Sequence, residues 1–493
     1  MLSNIEYAIS TRDDLKEILT ESIREYFLKE VSDDPELESI IEKFLSEFKS
    51  GLSFLIEYPY VDKVYRDSYY TYYASKHSRY QRDCIRISIF NNEINFVDFT
   101  DPVKHSKLQD IFLGYFVLRP QRTMIGHSLI NPAAFLNKNI KICLHKAESL
   151  VLGVKLTAEG FPHSAQDGET ISCAETTIWA TMQYFGMRYA EYKPVLPSTI
   201  TKVIERIAVQ RLLPSNGLTM DQISFALKQF GFGTRIYSRE HFGDEFFEII
   251  DAYIESGIPV LTGLESASGG LGHVVVMIGK KYNAFDYKNL RPKVTIGPRK
   301  KYYDISQFNH HYVIQDDNLS PYQVISLDSP GINYDDSDSK NYQIDTIVVP
   351  LYSKIYLEAF VAKRLFVQII KDGSLGFDFK NKSVLRCFLS SSRSFKSHIT
   401  KLTDMDSEVK SIILLSKMPK FIWVGEVYEQ DQYIPFVGKP QGLVILDATE
   451  NSSTNTDALI FAGYPDRFVT INENKFIILQ QKLSNYSYYS NLK

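Results

Sequence analysis

The chain has 493 residues, which at about 150 residues per domain suggests about three domains. Hydrophobic residues make up 44% of it and charged residues 23%, so composition excludes the disordered, collagen-like and disulfide-scaffold classes. Lys and Arg total 55 against 59 Asp and Glu, and a formal net charge of -4 argues against a dedicated nucleic-acid binder.

Residues 12–50 read as helical. Leu15, Ile18, Leu19, Ile23 and Phe27 recur at helical spacing, followed by Leu37, Ile40, Ile41, Phe44 and Phe48. The stretch Tyr58–Tyr73 then carries seven tyrosines, flanked or interleaved by Lys63, Arg66, Lys76, Arg79 and Arg82. Aromatics among basic residues can stack single-stranded bases. They can equally pack at a domain interface with their hydroxyls wet. Asp62 and Asp67 within the stretch, and the slightly acidic chain, favour the interface. Cys84–Phe90, Ile111–Leu118 and a long segment near Ile140–Leu156 read as strands, and His127 reads as a loop residue. Together these predict an α+β N-terminal domain over 1–154.

Residues 155–335 follow another pattern. The loop FPHSAQDGETIS (161–172) leads into the helix-like CAETTIWATMQYFG, and helical patterns recur at 199–211, 219–230 and 244–256. Strands are expected at 258–264, 273–279, 311–315 and 323–327, giving an α+β order. The last segment, 336–493, opens on the apolar run 344–352 and a helix-like stretch at 353–366. Strand candidates follow at 384–390, 420–428, 442–448 and 458–464, with a polar loop at 451–457, so a β-rich α+β domain is expected there. There is no internal repeat. No run of about 18 apolar residues occurs and the N-terminus lacks the apolar stretch of a signal peptide, so the expectation is no membrane span, a cytoplasmic location and reduced thiols.

Four cysteines are scattered along the chain without metal-ligand or disulfide-framework spacing. Cys84, Cys143 and Cys387 sit in apolar, strand-like runs and read as core thiols. Cys173 differs, because it stands where a polar loop becomes a helix. Ser172 before it suits an N-cap, and Glu175 and Thr176 fall in the first turn. The positive end of the helix dipole and unpaired backbone N–H groups favour a thiolate there and can bind an oxyanion. His273 follows SASGGLG and opens the strand HVVVMIG, which suits a general base on a rigid element. If 311–315 pairs antiparallel with that strand, its end brings Asp316 beside His273. Asp317 is the next candidate to orient the ring, and Asp328, ending the following strand, is the third. Gln166, seven positions before Cys173, can offer a second oxyanion hydrogen bond, with Asp167 and His163 as nearby alternatives.

CAETTIWATMQYFG, GLTMDQISFALKQFGF, SGIPVLTGL and GHVVVMIGKKYN, in that order, resemble a papain-like cysteine peptidase domain. The resemblance covers about residues 160–330 and is nearest to the bacteriocin leader-peptide (double-glycine) peptidase-like branch. It implies a helix bundle with an antiparallel sheet. It also implies Cys173 as nucleophile, His273 as base, Asp316 as orienter and Gln166 as oxyanion donor, with a protein or peptide substrate and no cofactor or metal. This chain departs from the family in having Cys-Ala-Glu for Cys-Gly-Pro and Asp-Asp-Asn for Asp-Pro. No GxxxxGK[ST] motif accompanies it, so an exporter-linked role is not implied. The expectation is a multidomain cysteine peptidase whose flanking domains position a protein substrate or partner; an isopeptidase or acyltransferase would use the same triad. The alternative is a catalytically inactive papain-like scaffold or sensor mediating protein–protein interaction.

Overall fold

The computed structural model describes residues 5–77, 79–136, 139–214, 217–266, 272–282, 290–296, 300–308, 311–372, 374–376, 379, 382–435, 437–451, 457–472 and 475–493. Helices and strands take near-equal shares of an α+β chain, and the described strands form three sheets, antiparallel but for one pairing. In the first, the spatial order is Glu6–Thr11, Ser53–Tyr60, Cys84–Phe90, Phe112–Leu118, Ile125–Ile130, Val154–His163 and His145–Val151. The helical spacing at 12–50 becomes the helices Leu15–Tyr26, Lys29–Ser32 and Leu37–Ser46, which bury Leu19, Ile23, Ile41 and Phe44. Phe44 meets the sheet edge-on at Phe116, with ring centroids 5.0 Å apart.

The second sheet runs Gln323–Ser326, His311–Gln315, His273–Lys281, Val260–Ser266, Tyr342–Val349 and Arg235–Ser238, with Ile140–Ile142 also pairing to His273–Lys281. The third is built around Lys382–Ser391, Phe421–Glu429, Gly442–Asp447 and Leu459–Gly463. The sheets interleave across the cuts expected at 154 and 335. Val154–His163 completes the first sheet, Tyr342–Val349 lies within the second, and Lys300–Asp304 pairs parallel with Lys382–Ser391 in the third.

Several elements differ from expectation for local reasons. His127 lies in the strand Ile125–Ile130, not a loop. The long strand near 140–156 is three strands, and its last two join at Leu152 and Gly153, which have φ of 43° and 86°. Two consecutive positive φ values make a tight hairpin turn, easily adopted by glycine. The helix expected at 353–366 runs Ala359–Lys371, and that at 199–211 ends at Ile204. The glycines 269 and 270 before His273 and most of the loop 451–457 lie outside the described residues. Among the described residues, no helix is long and apolar enough to cross a membrane.

The tyrosine-rich stretch is the end of one strand followed by the helix Lys63–Thr71. Tyr65 and Tyr73 are buried, and Asp67 accepts hydrogen bonds from the Ser198 N–H and hydroxyl at 2.7 and 2.8 Å. This part of the segment is therefore packed inward, against the helix Pro197–Ile204.

Candidate active site

The helix Cys173–Arg188 is buried from Ala174 to Met182 without a break, so it is a central helix rather than an amphipathic surface one. Glu175 closes its start: its carboxylate accepts the Ser172 N–H at 3.2 Å and also the Ser172 hydroxyl. Cys173 is thus the first helical residue and is half-buried, whereas Cys84, Cys143 and Cys387 are buried. Burial pushes the Cys143 and Cys387 thiols up to about 12, and Cys84 is raised by the same cause.

Strands His273–Lys281 and His311–Gln315 are antiparallel, with Val276 opposite Gln315. The chain leaving Gln315 therefore turns past the start of the first strand. His273 Nε2 donates to Asp316 Oδ1 at 2.9 Å, which leaves Nδ1 as the ring nitrogen for nearby Cys173. The line Cys173–His273–Asp316 is thus assembled from a helix start, a strand start and a strand end.

The electrostatics follow from burial and pairing. Burial disfavours the charged imidazole, but the charge and hydrogen bond of Asp316, the nearby Cys173 side chain and the charge of Asp317 outweigh it, and His273 is raised well above its ordinary value. Burial likewise pushes Asp316 up. The His273 charge, the ring N–H, the Tyr334 hydroxyl at 2.6 Å and the Asn318 N–H at 3.0 Å reverse that and hold it below the usual range.

Asp317 is a different case. Its Oδ1 lies 3.7 Å from His273 Nε2, and neither carboxylate oxygen has a hydrogen-bond partner of good geometry. Thr176 is close to it, but that hydroxyl donates to the Ser172 carbonyl at 2.9 Å. Burial pushes the Asp317 carboxyl from 3.8 up to about 7; nearby Asp316 adds to this and His273 opposes it. An acid raised on folding costs nothing while both states are protonated, and the cost grows as pH passes from the unfolded to the folded value. Asp317→Asn should therefore gain stability over the wild type between about pH 4 and pH 7, by at most about 4 kcal/mol at pH 8. Urea unfolding at pH 4.5 and pH 8 tests this, and an advantage no larger at pH 8 would count against it.

The remaining sequence candidates are structural neighbours of this line. One Gln166 amide N–H donates to Asn318 Oδ1 at 2.6 Å, so the side chain is tied to the loop after Asp316. His163 donates Nε2–H to the carbonyls of Asp316 and Leu319 at 3.1 and 3.0 Å. Asp167 accepts the N–H groups of Glu169, Thr170 and Ile171 and the Tyr73 hydroxyl, and so organises the loop before Cys173. Asp328 is exposed beyond the strand Gln323–Ser326; the acids that pair with His273 are Asp316 and Asp317. Three contributors were not anticipated. Asn318 had a readable signal, following the Asp pair directly. Tyr334 lies in an irregular segment, and Arg119, which donates to the Ala165 and Gln166 carbonyls at 2.7 and 2.9 Å, comes from a different sheet, so neither had one.

No protein-family model matches this chain, and no curated protein matches it significantly.

Proposed function

We propose that this protein is a papain-like cysteine peptidase acting on a protein or peptide substrate. The observation that carries the reading is a helix-start thiol near an imidazole that donates to a buried carboxylate held below its usual range. Nδ1 of His273 accepts the Cys173 proton, and the thiolate attacks the scissile carbonyl carbon. The carbonyl oxygen becomes an oxyanion facing the Cys173 N–H, one of the first-turn amides that no helix carbonyl takes. The Gln166 amide supplies the second donor once it turns from Asn318. As the C–N bond breaks, the imidazolium donates its Nδ1 proton to the leaving amine, and a thioester remains. Water, deprotonated at Nδ1, attacks the thioester; a carboxylic acid leaves and the proton returns to sulfur. Asp316 stays ionised throughout and holds the ring orientation. The central segment then serves as the peptidase domain, with the α+β N-terminal and β-rich C-terminal segments around it.

The test is mapping of protein N-termini across a proteome exposed to the wild-type chain or to Cys173→Ala. New termini that depend on Cys173 are expected. Identical termini in both samples would leave the scaffold reading in its place.

A further inference from the structure

A cleft of about 420 Å³ begins where the candidate active site ends. Gln166, Asp317 and Asn318, all beside the His273–Asp316 pair, form its inner end. One apolar wall comes from outside the central segment: Ile40 and Phe44 from the helix Leu37–Ser46, and Met124 and Ile125 from the entry to the strand Ile125–Ile130. Leu319 adds a further apolar face.

The charged groups around the cleft are already engaged. Lys43 pairs with Asp335 at 3.0 Å. Asp167 is taken up by its own loop and Tyr73, and Asp317 pairs with His273 at 3.7 Å. The cleft thus offers a bulky apolar group a place to leave water. Its volume lies within the range of ligand sites, of order 300–1,000 Å³.

We propose that this cleft is a specificity subsite, shared between the central segment and an apolar wall from the N-terminal segment, that takes one bulky apolar side chain of the peptide substrate. The inference rests on Cys173 being the nucleophile proposed above. It gives the N-terminal segment a direct part in substrate choice. Ile40, Phe44, Met124 and Ile125 supply the apolar side chains that this segment brings to the cleft.

The experiment uses the full chain and a set of peptidyl electrophiles that differ at one residue: Leu or Phe, Lys, Glu, or Gly. Labelling of Cys173 is followed by mass spectrometry, with iodoacetamide as a reagent that carries no side chain. Some position in the peptide should favour Leu or Phe over Gly, Lys and Glu by about tenfold or more. Ile40→Asp should remove that preference while leaving the iodoacetamide rate within about twofold. Ile40→Ala, a milder change at a half-buried position, should reduce it. If iodoacetamide labels Cys173 but no position favours an apolar residue, the subsite is overturned and the nucleophile stands. The assignment to this cleft also falls if the preference survives Ile40→Asp. If iodoacetamide does not single out Cys173, the nucleophile falls and takes the subsite with it.

Discussion

Asp316→Asn is expected to lower turnover of a peptide spanning a mapped cleavage site by about 10³- to 10⁴-fold, the scale on which loss of a triad's orienting carboxylate acts. The isosteric amide keeps one oxygen, which can accept from Tyr334 at the Oδ2 position, while its NH2 group takes the Oδ1 position that receives the Asn318 N–H and the His273 ring. What it removes is the charge that favours imidazolium and the acceptor that keeps Nε2 protonated. His273 should then titrate nearer its ordinary value, and the pH limb it controls should move down. Stability carries the same sign. A histidine raised on folding contributes fully below its unfolded value of about 6.5 and loses that contribution as pH rises through its folded value. A lowered Asp316 contributes above its unfolded value of about 3.9 and loses that contribution as pH falls through its folded value. The variant should therefore lose most stability between about pH 4 and pH 6.5. Turnover within tenfold of wild type, with an unmoved pH limb, would remove Asp316 from the site.

The second large effect concerns the foundation of the His273 strand. Arg386 is fully buried and donates to Glu255 Oε2 through Nε and Nη2 at 2.8 and 2.6 Å, and to Glu426 Oε2 through Nη1 at 2.7 Å. Glu255 also accepts from Lys280 at 2.6 Å, on the strand that begins with His273, and Lys280 pairs with Asp251 at 2.5 Å. This network joins the second sheet to the third and holds three carboxylates against two cations. Burial pushes Glu255 up, but Lys280 and Arg386 outweigh it and hold it well below its ordinary range. Arg386→Ala would leave the three buried carboxylates with Lys280 as the one cation of this network and is expected to cost about 3–5 kcal/mol. Combining it with Glu255→Gln and Glu426→Gln should cost less than the single change, because no unpaired charge then remains buried. Urea denaturation distinguishes the cases; a loss under about 1 kcal/mol for the single variant would mean that the charges find other partners.

The readable parts of this chain were those where one local rule sufficed. Cys173 stood out because a polar loop, an N-cap serine and a helix meet within three residues. His273 and Asp316 became neighbours in the reading because two apolar runs of strand length, taken antiparallel, bring their ends together. The strand His311–Gln315 begins and ends as read. Less was legible where pairing is long-range. Nothing local in Val154–His163 or Tyr342–Val349 tells which sheet each joins, and those two strands blur the expected cuts at 154 and 335. The helix Ser392–Lys401 was missed because its buried apolar residues are only Phe395 and Ile399. His127 was misplaced because Gly126, His127 and Ser128 break the apolar run of their strand. The cleft was invisible for the same reason as Tyr334: its walls come from distant parts of the sequence.

If Cys173 is the nucleophile, His273 must activate its thiol. It is tested most directly by the rate of Cys173 alkylation by iodoacetamide at pH 6, in the wild type and in His273→Ala, read site by site. Cys173 activated by His273 should react about tenfold or more faster than a free thiol at that pH. That advantage should vanish in His273→Ala, while Cys84, Cys143 and Cys387 stay unlabelled in the native chain. A wild-type rate no faster than the free thiol, or one unchanged by His273→Ala, would mean that His273 does not activate Cys173.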